Sequence, residues 1–131
     1  MHVLPRELGD VLSAEAGFVI FPDRETVLAP DVAFVRAGRE PQGEARWHVA
    51  RLAPDLVVEV LSPSDRAQDM QAKVALYQEA RVPLVWVVDP RAQTVTVFAP
   101  GQAPVVLTAT GTLGGGDVLP EFQVPVAELF A

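Results

Sequence analysis

Cysteine is missing from all 131 residues, which excludes disulfides, thiolate metal sites and thiol nucleophiles together. Long apolar runs are missing too. None approaches the roughly 18 residues that a membrane-crossing helix needs, and no basic stretch followed by an apolar one opens the chain. A soluble, cytoplasmic protein with no membrane partner is the expectation. Positive charge is scarce: 10 Lys and Arg stand against 17 Asp and Glu, for a net charge of -7. That balance argues against broad electrostatic capture of nucleic acid by a basic face, without excluding a nucleic-acid enzyme. The acidity serves solubility, and carboxylates gathered around a metal ion would add to the same count.

What is present describes a folded chain. Half the residues are hydrophobic and 21% are charged, the balance of a globular protein. The length suits one domain over residues 1–131 with one core. Twelve prolines and nine glycines interrupt a Val-, Leu- and Ala-rich sequence, so short strands joined by turns are expected.

Leu4, Leu8, Val11 and Leu12 recur at helical spacing, which predicts a helix over 3–16 closed by Gly17. His2 reads as a solvated terminal side chain. Strands are predicted at 18–21, 30–36 and 55–61, with a turn at 22–25 and an aperiodic loop at 37–51 that holds Trp47 and His48. Ser64 or Asp65 can cap a helix over 66–80, Asp65 and Gln68 forming a reciprocal capping box. Ala67, Met70, Val74 and Tyr77 make the apolar stripe of that helix. Residues 84–88 are apolar at every position, as in a strand covered on both faces. They follow the 55–61 strand by one helix, so the two strands should run parallel. Residues 94–98 alternate and pair back as a hairpin, and 105–107 add a strand. Gly114, Gly115 and Gly116 read as a flexible link, and 124–130 as a short closing helix.

Glu59 is the anomaly, a carboxylate inside Leu56-Val57-Val58-Glu59-Val60-Leu61. A charge in such a strand is buried only when it is paired or coordinates something. A buried ion pair meets that need, and so does a metal ion. If the 30–36 and 55–61 strands are antiparallel neighbours, the start of one faces the end of the other, and Asp31 falls close to Glu59. Two carboxylates on one face suit Mg²⁺ or Mn²⁺, with waters completing the octahedron. Asp55 shares Glu59's face but lies four residues back, roughly 13 Å along a strand, too far to share one ion. Pro-Asp dipeptides also simply start strands, an alternative that covers both Asp31 and Asp55.

Lys73 stands four residues after Asp69 and four before Tyr77, so all three project from one side of the helix. Either Lys73 makes a surface pair with Asp69, or it reaches over the strand end to the ion. There its ammonium would stabilise phosphoryl charge or orient the attacking water. Trp47, Trp86 and His48 are the groups a small-ligand site would draw on, but lone aromatics are more often core.

The stretches P-D-V-A-F-V (30–35), P-D-L-V-V-E-V-L-S-P-S (54–64), D-M-Q-A-K-V-A-L-Y (69–77) and V-P-L-V-W-V-V-D-P (82–90) closely resemble the Uma2 family. That family, also called DUF820, belongs to the PD-(D/E)XK restriction-endonuclease-like nucleases. The resemblance covers about residues 18–100, with four motifs in the right order. It implies an α/β fold of mixed α+β type, a restriction-endonuclease-like central mixed β-sheet flanked by helices. It also implies a metal-dependent endonuclease hydrolysing phosphodiester bonds of DNA, with Mg²⁺ (or Mn²⁺) as cofactor. Asp31 and Glu59 match the metal-binding carboxylates. The superfamily's lysine belongs two residues after the glutamate, where this chain has Leu61. Lys73, on the next helix, matches the place from which Uma2-like sequences supply it. In this scheme Asp31, Glu59 and Lys73 carry the chemistry, Asp69 and Tyr77 orient Lys73, and Asp55 supports from further off. The family's N-terminal segment is expected to be absent, and sheet edges left open favour a homodimer. The short front and the acidic charge suit a second reading, an inactive nuclease-fold module acting in protein interaction or assembly.

Overall fold

The fold comes from a computed structural model, which describes residues 9–13, 17–21, 26–39 and 49–131. His2, the predicted turn at 22–25, and Trp47 and His48 of the predicted loop lie outside the described residues. In chain order the elements are β1 (Gly9–Ser13), β2 (Gly17–Val19), β3 (Val27–Leu28), β4 (Val32–Arg36), β5 (Val49–Ala50) and β6 (Leu56–Val60). Then come α1 (Ala67–Glu79), β7 (Leu84–Asp89), β8 (Thr94–Phe98), β9 (Val105–Leu107), β10 (Thr112–Gly115), β11 (Leu119–Pro125) and α2 (Val126–Leu129).

Six strands form the main sheet in the order β1-β4-β6-β7-β8-β9. β6 and β7 are parallel, with Leu56 opposite Leu84 and Val60 opposite Val88. The other four pairings are antiparallel. The sheet is therefore mixed, as the strand-helix-strand reading of residues 55–88 predicts. One helix between neighbouring strands leaves room only for a parallel return. The turn after β7 is short, so β8 folds straight back as a hairpin strand.

Both faces of this sheet are covered, which is why β7 has no polar position until its end. On one face Met70, Val74 and Tyr77 of α1 pack with Val57, Val85, Val87, Ala33 and Val35. On the other, Leu56, Leu84, Trp86 and Val95 pack with Leu113, Leu119, Val124 and Val126 from the β10–β11 hairpin and α2. Trp86 is a core residue there, its ring tilted against Phe122 at 5.6 Å between centroids. Alternation along β6 sends Val57 and Glu59 to the α1 face and Leu56 and Val58 to the hairpin face.

Four local expectations are corrected. Residues 9–13 are a strand, not part of a helix, and Gly17 opens β2 where a helix cap was predicted. Helical spacing of a few apolar residues is a weak preference that a ladder overrides. β1 pairs with β4 from Gly9 opposite Arg36 to Ser13 opposite Val32. Gly9 also takes a φ of 146° and lies so close to β4 that a Cβ there would overlap the Val35 carbonyl. The start of the 37–51 segment is turn as expected, but Val49 and Ala50 form β5 alongside β2.

The three glycines at 114–116 are the third correction. Gly114 and Gly115 belong to β10, which pairs with β11 through a register shift. A Cβ on Gly115 would come within 2.6 Å of the Leu119 carbonyl oxygen, so the site admits only the smallest residue.

The last concerns the helix start. α1 begins as predicted, but no side chain caps it and Arg66 holds the N-cap position. The Asp65 carboxylate instead accepts the Ser62 N–H at 2.8 Å, while the Asp65 N–H returns to the Ser62 carbonyl. That tight turn comes immediately before the helix and uses up the predicted cap. At the other end, the N–H of Val82 reaches the Tyr77 carbonyl and that of Arg81 reaches Gln78. This is a Schellman closure, with Arg81 at φ 64° in the position that usually holds glycine.

Candidate metal and catalytic site

β4 and β6 pair with Val32 opposite Val58 and Ala33 opposite Val57. Continuing that register by one residue sets Asp31 opposite Glu59. The Asp31 carboxylate turns toward β6 and accepts the Val60 N–H on Oδ2 at 2.7 Å. Glu59 points to the α1 face and is 3% exposed. Tyr77, fully buried, donates its hydroxyl to Glu59 Oε2 at 2.7 Å. The Lys73 ammonium lies 3.6 Å from Glu59 Oε1, an ion-pair distance rather than a short hydrogen bond.

Because Lys73 and Tyr77 are four residues apart on α1, both reach one carboxylate. Burial pushes the Glu59 carboxyl above its ordinary pKa. The Tyr77 hydrogen bond and the Lys73 charge oppose that shift, while the negative charge of Asp31 adds to it. Burial first, and then Glu59, push the Tyr77 hydroxyl far upward, so it keeps its proton and acts as a donor. The result is a buried acid and a partly exposed one on adjacent strands, with a partly exposed ammonium beside the buried one. Two neighbouring negative charges favour a cation.

The other two acids named from sequence stand apart from this group. Asp55, 5% exposed, sits just ahead of β6. Its carboxylate pairs with Arg39 at 2.6 Å and accepts the Arg36 N–H at 2.8 Å. It clamps the turn after β4 at the end of the strand away from Glu59. Asp69 is exposed in the first turn of α1, and among the described residues no hydrogen bond or ion pair joins it to Lys73. The surface Asp69–Lys73 pair is therefore not formed. Lys73 turns to Glu59.

Two contacts escaped the reading of the sequence. Helical spacing linked Tyr77 to Lys73, yet its hydroxyl serves Glu59. A usable signal existed, because a tyrosine on an apolar stripe must find its hydroxyl a buried partner. The Val60 N–H held by Asp31 left no such trace, since it depends on where the β4–β6 ladder ends.

No group of three or more His, Cys, Asp or Glu side chains suited to a metal occurs among the described residues. Mg²⁺ is commonly held by one or two carboxylates, with waters and substrate phosphate filling the remaining positions. Asp31 commits Oδ2 to the Val60 N–H and Glu59 commits Oε2 to Tyr77, with Oε1 in a 3.6 Å ion pair to Lys73. Asp31 Oδ1 and Glu59 Oε1 are hard donors of the right kind. The donor set fits such an ion.

The family model for Uma2, described as "Putative restriction endonuclease", matches residues 1–127. Among solved structures, the crystal structure of "a putative nuclease belonging to DUF820" from Anabaena variabilis is similar, with a TM-score of 0.83. The likeness covers 96% of this chain and 70% of that one, at 22% identity, and establishes the fold. No curated protein matches.

Proposed function

This chain belongs to the Uma2 family, and from that premise we propose that it is a nuclease hydrolysing phosphodiester bonds of DNA with a divalent cation, Mg²⁺ or Mn²⁺. The observation that carries the reading is the convergence of Asp31, Glu59 and Lys73 at one end of the sheet. Asp31 and Glu59 hold the cation, with the main-chain carbonyl near Val60 as a further oxygen. A bound divalent cation supplies a water of lowered pKa and a Lewis acid for the phosphoryl oxygens.

Lys73 contributes its own charge. Its side chain is 41% exposed, so the ammonium faces both Glu59 and an incoming phosphate. There it orients the attacking water and offsets charge that builds on the non-bridging oxygens. β6 and β7 are parallel, so the turn after β7, with exposed Arg91, opens at the same sheet end as Glu59. Exposed Arg66 precedes α1 at that end too. These cations support phosphate contact in a chain that is acidic as a whole.

The reading extends to a homodimer. The edge strands of the main sheet leave Val11, Val105 and Val106 exposed, and open apolar edges favour pairing with a second copy. A cytoplasmic setting is part of the same proposal, and none of the described helices is long and apolar enough to cross a membrane.

Incubation with supercoiled plasmid in Mg²⁺, Mn²⁺ or EDTA is the test, run beside Glu59→Gln. The expected result is cation-dependent nicking by the wild type and none by the variant. Cleavage that survives in Glu59→Gln, or no cleavage of DNA in either ion, overturns the proposal. The second outcome would favour a nuclease fold without catalysis.

A further inference from the structure

We infer that Tyr77 is a positioning residue that fixes which oxygen of Glu59 is offered to the cation, an inference that rests on the nuclease reading above. A glutamate has three side-chain torsions, and a cation site needs them held. Here the holding is done by one hydroxyl. Tyr77 Oη donates to Oε2 at 2.7 Å, which leaves Oε1 as the outward oxygen, on the Lys73 side.

The tyrosine is itself fixed at both ends. Its carbonyl accepts the Val82 N–H at 3.0 Å in the helix closure. Its ring is wholly buried, in the same core cluster as Met70, Val74, Val57 and Val85. No other orientation of the hydroxyl is needed to satisfy it.

Asp31 repeats the arrangement from the opposite strand. Its Oδ2 is taken by the Val60 N–H, and among the described residues no hydrogen bond or ion pair reaches Oδ1. Asp31 therefore spends one oxygen on the protein, while Glu59 gives Oε2 to Tyr77 and sets Oε1 beside the Lys73 ammonium. Asp31 Oδ1 and Glu59 Oε1 are the oxygens that would hold a cation, with Lys73 moving aside to admit it. Without the phenol hydroxyl, Glu59 is free to turn both oxygens toward Lys73 and close the site.

The test measures Mn²⁺ affinity by the loss of the free-ion paramagnetic resonance signal, on folded protein well below its melting temperature. Tyr77→Phe is expected to bind roughly 10- to 100-fold more weakly than wild type. In a Glu59→Gln background the same change is expected to have no further effect. Equal affinity in Tyr77→Phe and wild type overturns the inference and leaves the nuclease reading intact. Absence of Mn²⁺ binding in the wild type overturns both.

Should Tyr77→Phe fail to fold, the wild type still decides. Tyr77 is the chain's single tyrosine, so ultraviolet resonance Raman of tyrosine reports this hydroxyl alone. Strong donation that persists when Mn²⁺ is added, and weakens in Glu59→Gln, is the expected result. A tyrosine signal that is the same in Glu59→Gln, or that loses its donor character when Mn²⁺ binds, overturns the inference.

Discussion

Val60 gives its main-chain N–H to Asp31 Oδ2 at 2.7 Å, so the acid ahead of β4 completes the last rung of the β4–β6 ladder. Asp31 thus has a structural task and a charge, and the two separate by substitution. Asp31→Asn keeps an acceptor for Val60 and loses the charge. It is expected to melt close to wild type while losing Mn²⁺ affinity. Asp31→Ala loses both, with a cost of about 1 kcal/mol for the unpaired donor. Thermal melts in EDTA, set beside metal titrations, distinguish the two.

Glu59 predicts a pH effect whose sign follows from its raised pKa. A carboxyl raised in the native state binds protons more tightly folded than unfolded. Stability therefore falls as pH rises from the ordinary value of 4.5 through the folded pKa. In EDTA, Glu59→Gln should lose that slope and be the more stable protein at neutral pH. The readout is the difference in urea midpoint between variant and wild type across pH, so that other acids cancel. Asp65, whose pKa is lowered chiefly by the Ser62 N–H, contributes in the opposite sense to both.

Lys73 occupies the place beside Oε1 where a cation would act. Replacing it by methionine removes a competing charge, so Mn²⁺ should bind several-fold more tightly. Cleavage should nevertheless fall by about 100-fold or more, the usual cost of a lost charge-stabilising group. Opposite signs in the two assays are the expected outcome. A variant that loses Mn²⁺ affinity would assign Lys73 a structural task alone.

Asp55 is the acid that should not matter to metal. Its Arg39 partner is exposed at 44%, so that ion pair contributes little. The buried acceptor for the Arg36 N–H contributes more. Asp55→Ala is expected to cost about 1–3 kcal/mol in urea melts and to leave Mn²⁺ affinity within two-fold. A loss of affinity equal to that of Asp31→Asn would move Asp55 into the site.

Arg81 bears a backbone cost. Its φ of 64° is the left-handed conformation, which glycine adopts freely and side chains resist. Arg81→Gly should raise stability by about 0.5–1 kcal/mol, and Arg81→Ala should not. Differential scanning calorimetry of the three proteins checks it.

The order of elements from β6 to β8 was legible because each rests on a local rule. Glu59 interrupts an apolar run, Met70, Val74 and Tyr77 repeat at helical spacing, and an all-apolar strand after one helix can only return parallel. Asp31 meeting Glu59 followed from antiparallel register alone. The elements themselves are set by neighbours in the chain through short-range periodicity, whereas the Asp31–Glu59 approach also needs β4 to pair with β6.

Tertiary structure decided the rest, for a single reason: a polar group bonds to whichever partner the fold brings within about 3 Å. Residues 9–13 became a strand because β4 offered an open ladder, and Gly115 entered one because Leu119 came too close for any side chain. Asp65 turned back to Ser62 instead of capping α1, and the Tyr77 hydroxyl went to Glu59 instead of Lys73. Helical spacing placed Tyr77 on the same side of α1 as Lys73, but the choice of partner needed the packed sheet and helix.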